Sequence, residues 1–393
     1  MKRVYLDHIA ATPLDPRALE AMLPFLRERF GNPQSIHSFG RPAQEAVEEA
    51  RAQVARLINA SAEEIFFVSS GSEANNFALK GLALARRDKG RHLVLSAVEH
   101  QSVLHAAKSL ERQGFKTTLV GVDREGLVDP ERLAAAVTPE TALVSVQLAN
   151  NEVGTVEPVA EVARLCRPLS VPVHTDAVAA AGSIPVDVRA LDVDALSLAG
   201  DQFYGPKGSA ALYVRKGARL LPLIDGGIQE GGRRAGTENV AGIVGLGRAA
   251  ALAAEELESR SVRAAALRDR LIDELPRRVE QVTLTGHRSR RLPHHASFCV
   301  AFVEGEAMLL NLDLKGFAVS SGSACTSRAL KASHVLLAMG LDHALAQGSL
   351  VFSLIEGTAA GDIESLLDVF PPIVERLRAL SPLYTQYLEE KGK

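Results

Sequence analysis

Between residues 65 and 214, short apolar runs alternate with helix-patterned segments, and this rhythm restricts the fold more than any other feature of the chain. The runs are Ile65-Phe66-Phe67-Val68, His92-Leu93-Val94-Leu95-Ser96, Thr117 to Val120, Leu143-Val144-Ser145-Val146, Val171-Pro172-Val173-His174, Val193 to Leu198 and Ala210-Ala211-Leu212-Tyr213-Val214. Helical patterns fall between them over Glu73 to Leu84, Ser102 to Arg112, Pro130 to Ala136 and Val159 to Arg164. Continuous apolar strands separated by helices predict a parallel sheet buried on both faces. Ligands of such sheets sit beyond the carboxyl ends of the strands. Ser72, His100, Asn151 and Asp176 fall at those ends.

The flanks add to this frame. Pro16 is placed to open a helix carrying Ala18, Leu19, Met22, Leu23 and Leu26 at helical spacing. A longer amphipathic helix follows from Pro42 to Leu57. From Asn239 to Leu275 the chain is helical and rich in Ala, Glu and Arg, as a bridge between two domains would be. Beyond it, a strand pattern over His295 to Phe302 and helices over Gly305 to Leu312 and Ile363 to Leu377 predict a smaller α+β domain. The expected division is 14–258 for the large domain, with 1–13 and 259–393 forming the small one.

Several function classes find no support. The formal net charge of −3 gives no basic surface for nucleic acid or anionic membrane. No apolar run approaches the roughly 20 residues that span a bilayer. Asp7 falls where a secretory leader would need an apolar core, so a cytoplasmic location is expected. Cys166, Cys299 and Cys325 form neither a disulfide framework nor a zinc motif.

Candidate chemistry lies at the strand ends. Ser70-Gly71-Ser72, between a strand and a helix, is a phosphate-cradle candidate, because small residues admit close approach to a helix N-terminus. Asp176 is a candidate partner for a protonated pyridine nitrogen. His100 is a candidate for stacking on a ring and moving protons, and Asn151 for donating to a cofactor oxygen. Each has a plain structural alternative when taken alone: a bare turn, a helix cap, a structural histidine, a turn residue.

Taken together, the order of segments resembles the cysteine desulfurases of the class V aminotransferase group. The segments are Tyr5-Leu6-Asp7-His8, Ser35 to Arg41, Glu99-His100, Asn150-Asn151-Glu152-Val153-Gly154, His174-Thr175-Asp176-Ala177, Tyr204-Gly205-Pro206-Lys207-Gly208, Arg234 to Asn239 and Ser320 to Cys325. The resemblance implies an α/β chain of the fold type I, aspartate aminotransferase-like architecture. Its large domain would hold a mainly parallel seven-stranded sheet. It also implies pyridoxal 5'-phosphate (PLP) as cofactor, a homodimer with the site at the subunit interface, and L-cysteine as ancestral substrate. By the same resemblance, His100 stacks on the ring, Asp176 meets the pyridine nitrogen and Asn151 lies near the phenolic oxygen. Gly71 and Ser72 belong to the phosphate turn, and Thr237 reaches the phosphate of the neighbouring subunit. Cys325 holds the position of the nucleophile that becomes a persulfide while alanine is released, and is also a candidate iron–sulfur ligand.

The chain departs from the family pattern at the chemistry. Gln202 stands where the lysine forms a Schiff base with the cofactor, and an amide cannot do so. Asp201 replaces the neighbouring His, Ala199 a phosphate-binding Ser, Ala179 a Gln that contacts the ring oxygen, Gly231 an Arg, and Val351 the Arg that clamps the substrate carboxylate. Lys207 sits five positions after Gln202 in a turn that carries its own lysine in the family, so it is no substitute. Six such changes at one expected pocket point to a desulfurase-like protein degenerate in PLP catalysis. Its retained cysteine would serve persulfide handling or iron–sulfur assembly with a sulfur-acceptor or scaffold partner. The alternatives are a PLP-binding enzyme and a non-catalytic partner dimer. The enzyme would be either a working cysteine desulfurase that forms the Cys325 persulfide or one with a changed reaction on non-covalent PLP.

Overall fold

A computed structural model describes residues 2–321 and 332–391. Its strands, in chain order, are β1 (Val4–Tyr5), β2 (Ile65–Val68), β3 (His92–Ser96), β4 (Lys116–Val120), β5 (Thr141–Ser145), β6 (Val173–Asp176), β7 (Ala195–Ala199), β8 (Ala210–Val214), β9 (Val282–Thr285), β10 (His295–Val300), β11 (Phe317–Ala318) and β12 (Ser349–Ser353). Seven of them form one sheet in the order β2-β8-β7-β6-β5-β3-β4. Neighbours from β7 through β4 are parallel, and β8 runs antiparallel to both β7 and β2.

Alternation along these strands builds two apolar layers. Ile65, Phe67, Val94, Val144, Leu196, Leu198, Ala211 and Tyr213 join one core. Phe66, Val68, Leu93, Leu95, Leu143, Ala195, Leu212 and Val214 join the other. Successive side chains of a strand point to opposite faces, so both faces are covered and the runs read as continuously apolar. The helix Gly71–Ala85 and the helix Gln101–Glu111 supply the second layer, through Phe77, Leu79, Val103 and Leu110 among others. The first layer takes Val47, Ala50 and Val54 from the helix Gly40–Leu57, and Ile243 to Ala253 from the helix Val240–Arg278.

That last helix has 39 residues, a length of about 58 Å at 1.5 Å per residue. Its C-terminal third turns Leu271, Ile272 and Leu275 into a separate core with Phe298, Leu350, Phe352, Ile363 and Phe370. Val4 and Leu6 belong to this same core. β1 pairs in parallel with β11, and β9, β10 and β12 form an antiparallel sheet. The start of the chain is therefore packed with its last third.

Two details depart from the sequence reading. β6 ends at Asp176 rather than His174, so the acid is the last strand residue and not a residue beyond it. The helix Pro16–Arg27 buries only Ala18, while Leu19 and Leu26 are 42% and 61% exposed. Its apolar face is left partly open, beside exposed Phe30, Ile36 and Phe39. No described helix is long and apolar enough to cross a membrane.

Candidate functional site

A cavity of about 620 Å³ opens at the carboxyl ends of the central strands. Gly71, Ser72, His100, Asn151, Asp176 and Gln202 all line it, as do Ala179, Ala199 and Asp201.

The turn after β2 is tightly held. The Ser70 hydroxyl accepts from the Glu73 N–H at 3.1 Å, and the Glu73 carboxylate accepts from the Ser69 N–H at 2.8 Å. Arg234 pairs with the same carboxylate at 2.9 Å. A Cβ at Gly71 would come within 2.6 Å of Val178 Cγ2 and 3.6 Å of Ala199 Cβ, so glycine is required for the close approach. Ala199 thus presents a methyl group beside the turn.

Asp176 is 6% exposed. Its Oδ2 accepts from Asn75 Nδ2 at 2.6 Å, and its Oδ1 accepts from the Val178 N–H at 2.9 Å. Asn75 Oδ1 is buried without a partner, and Asn75 also lines the cavity. His100 caps the helix Gln101–Glu111, its Nδ1 accepting from the Ser102 N–H at 3.1 Å. That bond assigns the proton of the neutral ring to Nε2. The cap and the cavity role therefore coexist in one side chain.

Gln202 sits just beyond β7 and is 8% exposed. Its Nε2 donates to the Ile9 carbonyl at 3.3 Å. Burial raises the pKa of Asp201 beside it. Lys207 is exposed and outside the cavity. Among the described residues, no lysine or arginine lines the cavity, whereas Glu152, Asp176 and Asp201 do.

Other residues singled out from sequence fall elsewhere. Val351 lies within β12, 1% exposed and paired with Ser320, and is not part of the lining. Gly231 is away from it as well. The substitutions expected at a single pocket therefore divide: Gln202, Asp201, Ala199 and Ala179 share the cavity, and Gly231 and Val351 do not. Thr237 is exposed and does not line this chain's cavity. Cys325 lies outside the described residues. Cys166 and Cys299 are fully buried, and burial pushes their thiols up to about 11 and about 12, which leaves them inert.

Sequence reasoning missed part of the lining. Glu152 enters the sequence reading only within the Asn150–Gly154 segment, with no role of its own. It is half-buried, its carboxyl is raised to about 7 by desolvation, and the Ser333 hydroxyl donates to it. His334 takes a hydrogen bond from Gln101 Nε2 at 3.0 Å, and its Nε2 faces the Glu99 carbonyl at 3.0 Å. Behind them Glu99 is fully buried and accepts from the Gln147 N–H at 2.6 Å. Burial first, and Asp176 second, hold its pKa well above the usual range.

Asp176, His100 and the Gly71–Ser72 helix start line one cavity and are of the chemical types that could hold a pyridoxal ring and phosphate. Among the described lining residues there are five side-chain amides and three carboxyl groups but no amine, and Gln202 itself cannot tether PLP as an imine.

The architecture and the site's position at the strand ends are those of a fold type I PLP-dependent transferase. The chain belongs to the class V aminotransferase family, whose pattern it matches over residues 4–366. It is 50% identical to the cysteine desulfurase IscS of Dictyoglomus turgidum, across 97% of both chains. It is 47% identical to the cysteine desulfurase IscS of Clostridium botulinum, across 99% of both. Among solved structures, a NifS-like protein superimposes with a TM-score of 0.89 at 37% identity, covering 95% of this chain and all of that one. PLP is the cofactor of this family.

Proposed function

We propose that this chain is a cysteine desulfurase homologue that does not itself release sulfur from cysteine and instead handles sulfur through Cys325. One observation carries the reading: Gln202 occupies the end of β7 in a cavity whose described lining has no amine. A primary amide has no free electron pair for attack on an aldehyde, so no covalent tether forms. Cys325, on a segment rich in small residues, would accept sulfane sulfur by thiol–persulfide exchange. Its thiolate attacks the terminal sulfur of a donor persulfide, and the donor leaves as a thiolate. The division into a large domain at 14–258 and a small one from 1–13 and 259–393 belongs to this reading. So does a homodimer, for which exposed Leu19, Leu26, Phe30, Ile36 and Phe39 offer an apolar face.

The test is to purify the protein, add PLP and reduce with borohydride, then to assay alanine release from cysteine. No fixed cofactor and no alanine are expected, with Cys325 persulfide appearing only when an active desulfurase is supplied. Alanine release at a rate comparable to a working desulfurase would overturn the proposal. A second reading, PLP held without a covalent bond, is favoured by the Asp176–Asn75 pair; a visible band lost on dialysis would select it.

A further inference from the structure

At the junction of the two domain cores, a second cleft of about 160 Å³ lies between the middle of the long helix, the Gly182–Ser183 turn and the segment Leu354–Thr358. Arg260 projects from the helix with only 9% of its side chain exposed. Glu256 takes its Nη2, Asp15 lies 3.8 Å from the same nitrogen, and the Glu356 carboxylate lies 3.1 Å from its Nε. The guanidinium stacks over the Tyr204 ring at 4.8 Å. Its Nε and Nη1, however, are both buried without a hydrogen-bond partner, the approach of Glu356 to Nε being a charge contact only. The Thr358 hydroxyl is also buried and unpartnered. Both residues line the same cleft. Buried donors without acceptors are unfavourable, so a shared acceptor from outside the chain would satisfy both.

The cleft also holds the opposite charge. Glu356 lines it with 38% of its side chain exposed; Arg263 Nη2 reaches its Oε1 at 3.3 Å and Arg260 Nε lies 3.1 Å from its Oε2, so a bound ammonium would share this carboxylate with both arginines. Ala264, Leu267 and Leu354 give it an apolar wall. The volume suits a compact molecule and not a nucleotide.

We propose that this cleft binds a small α-amino acid as its zwitterion. The carboxylate would accept from Arg260 Nη1 and the Thr358 hydroxyl, the ammonium would donate to Glu356, and a short side chain would face the apolar wall. No residue of this cleft lines the large cavity, so the proposal stands independently of the desulfurase reading. The two sites are nevertheless adjacent. His8 lines the cleft, and its ring nitrogens lie 3.1 Å from the Leu354 carbonyl and 2.9 Å from the Gln202 carbonyl.

Calorimetric titration of the full-length protein with glycine, L-alanine, acetate and methylamine tests this. Glycine or alanine should bind, with acetate and methylamine weaker by about tenfold or more, because each lacks one charged hydrogen-bond set. Thr358→Val should weaken amino-acid binding by about three- to tenfold. Ala264→Leu should fill the cleft and abolish binding, while Ala199→Leu, in the large cavity, should leave it unchanged. A cleft that takes up only water, giving no heat with either amino acid, overturns the proposal. So does acetate binding as tightly as alanine, or binding lost in Ala199→Leu and kept in Thr358→Val.

Discussion

The interior of the seven-stranded sheet and its carboxyl rim are built from the same strands but obey different constraints. In the interior Phe77, Leu93, Leu95, Leu143 and Leu196 are fully buried, and the polar exceptions Ser145, His174 and Ser197 hydrogen-bond one another. At the rim polar side chains mix with small apolar ones, and Asn75 Oδ1 and Glu99 Oε2 are buried without partners. The interior sets the free energy of the fold. The rim carries Gln202 and Ala199 in a frame that superimposes on a NifS-like protein with a TM-score of 0.89. Architecture and chemistry are therefore carried by different residues, and the proposed loss of the second would leave the first intact.

The largest effect expected from this contrast is on stability. Phe77→Ala should cost about 3–5 kcal/mol, the range for emptying a packed aromatic site. Gln202→Ala should cost less than about 1 kcal/mol, because its single side-chain hydrogen bond is long. Denaturant unfolding of the two variants measures both. Equal costs would break the distinction between interior and rim.

A smaller effect should appear in the pH dependence. Glu157 is buried, with one oxygen accepting from the Val128 N–H at 2.9 Å and the other unpartnered. Desolvation raises its carboxyl to about 8. The folded state thus holds a proton that the unfolded chain gives up near 4.5. The stabilisation is complete below about 4.5 and is lost as pH rises through about 8. The buried rings of His174 and His295 act in the opposite sense. Both are lowered to about 3, so their contribution is complete above 6.5 and is lost as pH falls toward 3. Glu157→Gln should therefore gain about 1–3 kcal/mol relative to the parent at pH 9 and show little gain at pH 4. An equal gain at both pH values would rule out the carboxyl as the cause.

The same contrast explains what could be read from the sequence. The strand runs were legible because a two-faced sheet needs uninterrupted apolar residues. Their ends were less so: β6 continues to Asp176 because the Leu148 N–H reaches the Asp176 carbonyl and the Ala177 N–H reaches Ser197, bonds set by neighbouring strands. Gln202 and His100 were legible through local motifs. Asn75, Glu152, Ser333 and His334 were not, because their roles depend on contacts across 101, 181 and 235 positions of chain. Val351, read from its motif as a pocket residue, is buried by its strand pairing, beside the cavity-lining Ser320.

Asn75→Ala probes the rim more gently. It removes the donor to Asp176 Oδ2 together with an unpartnered oxygen, so loss and relief partly cancel. A net cost of about 1 kcal/mol is expected in denaturant unfolding. A cost as large as that of Phe77→Ala would place Asn75 with the interior.

The smallest expected effect is on activity. Gln202→Lys puts an amine back at the end of β7, and on the motif alone it should rescue desulfuration. The surrounding rim argues otherwise. Ala199 still offers a methyl group beside the Gly71 turn, Asp201 still lines the cavity, and Ala179 offers no hydrogen bond. Val351 still lies in the strand with no charge to clamp a carboxylate. A lysine there would be pulled two ways, its pKa lowered by burial and raised by whichever neighbouring carboxyl groups are ionised, with no histidine at 201 to take its proton. Gln202→Lys should therefore release no alanine from cysteine above background, whereas adding Asp201→His, Ala199→Ser, Ala179→Gln and Val351→Arg should bring activity up. Full activity from the single change would mean that the rim was never remodelled beyond one residue.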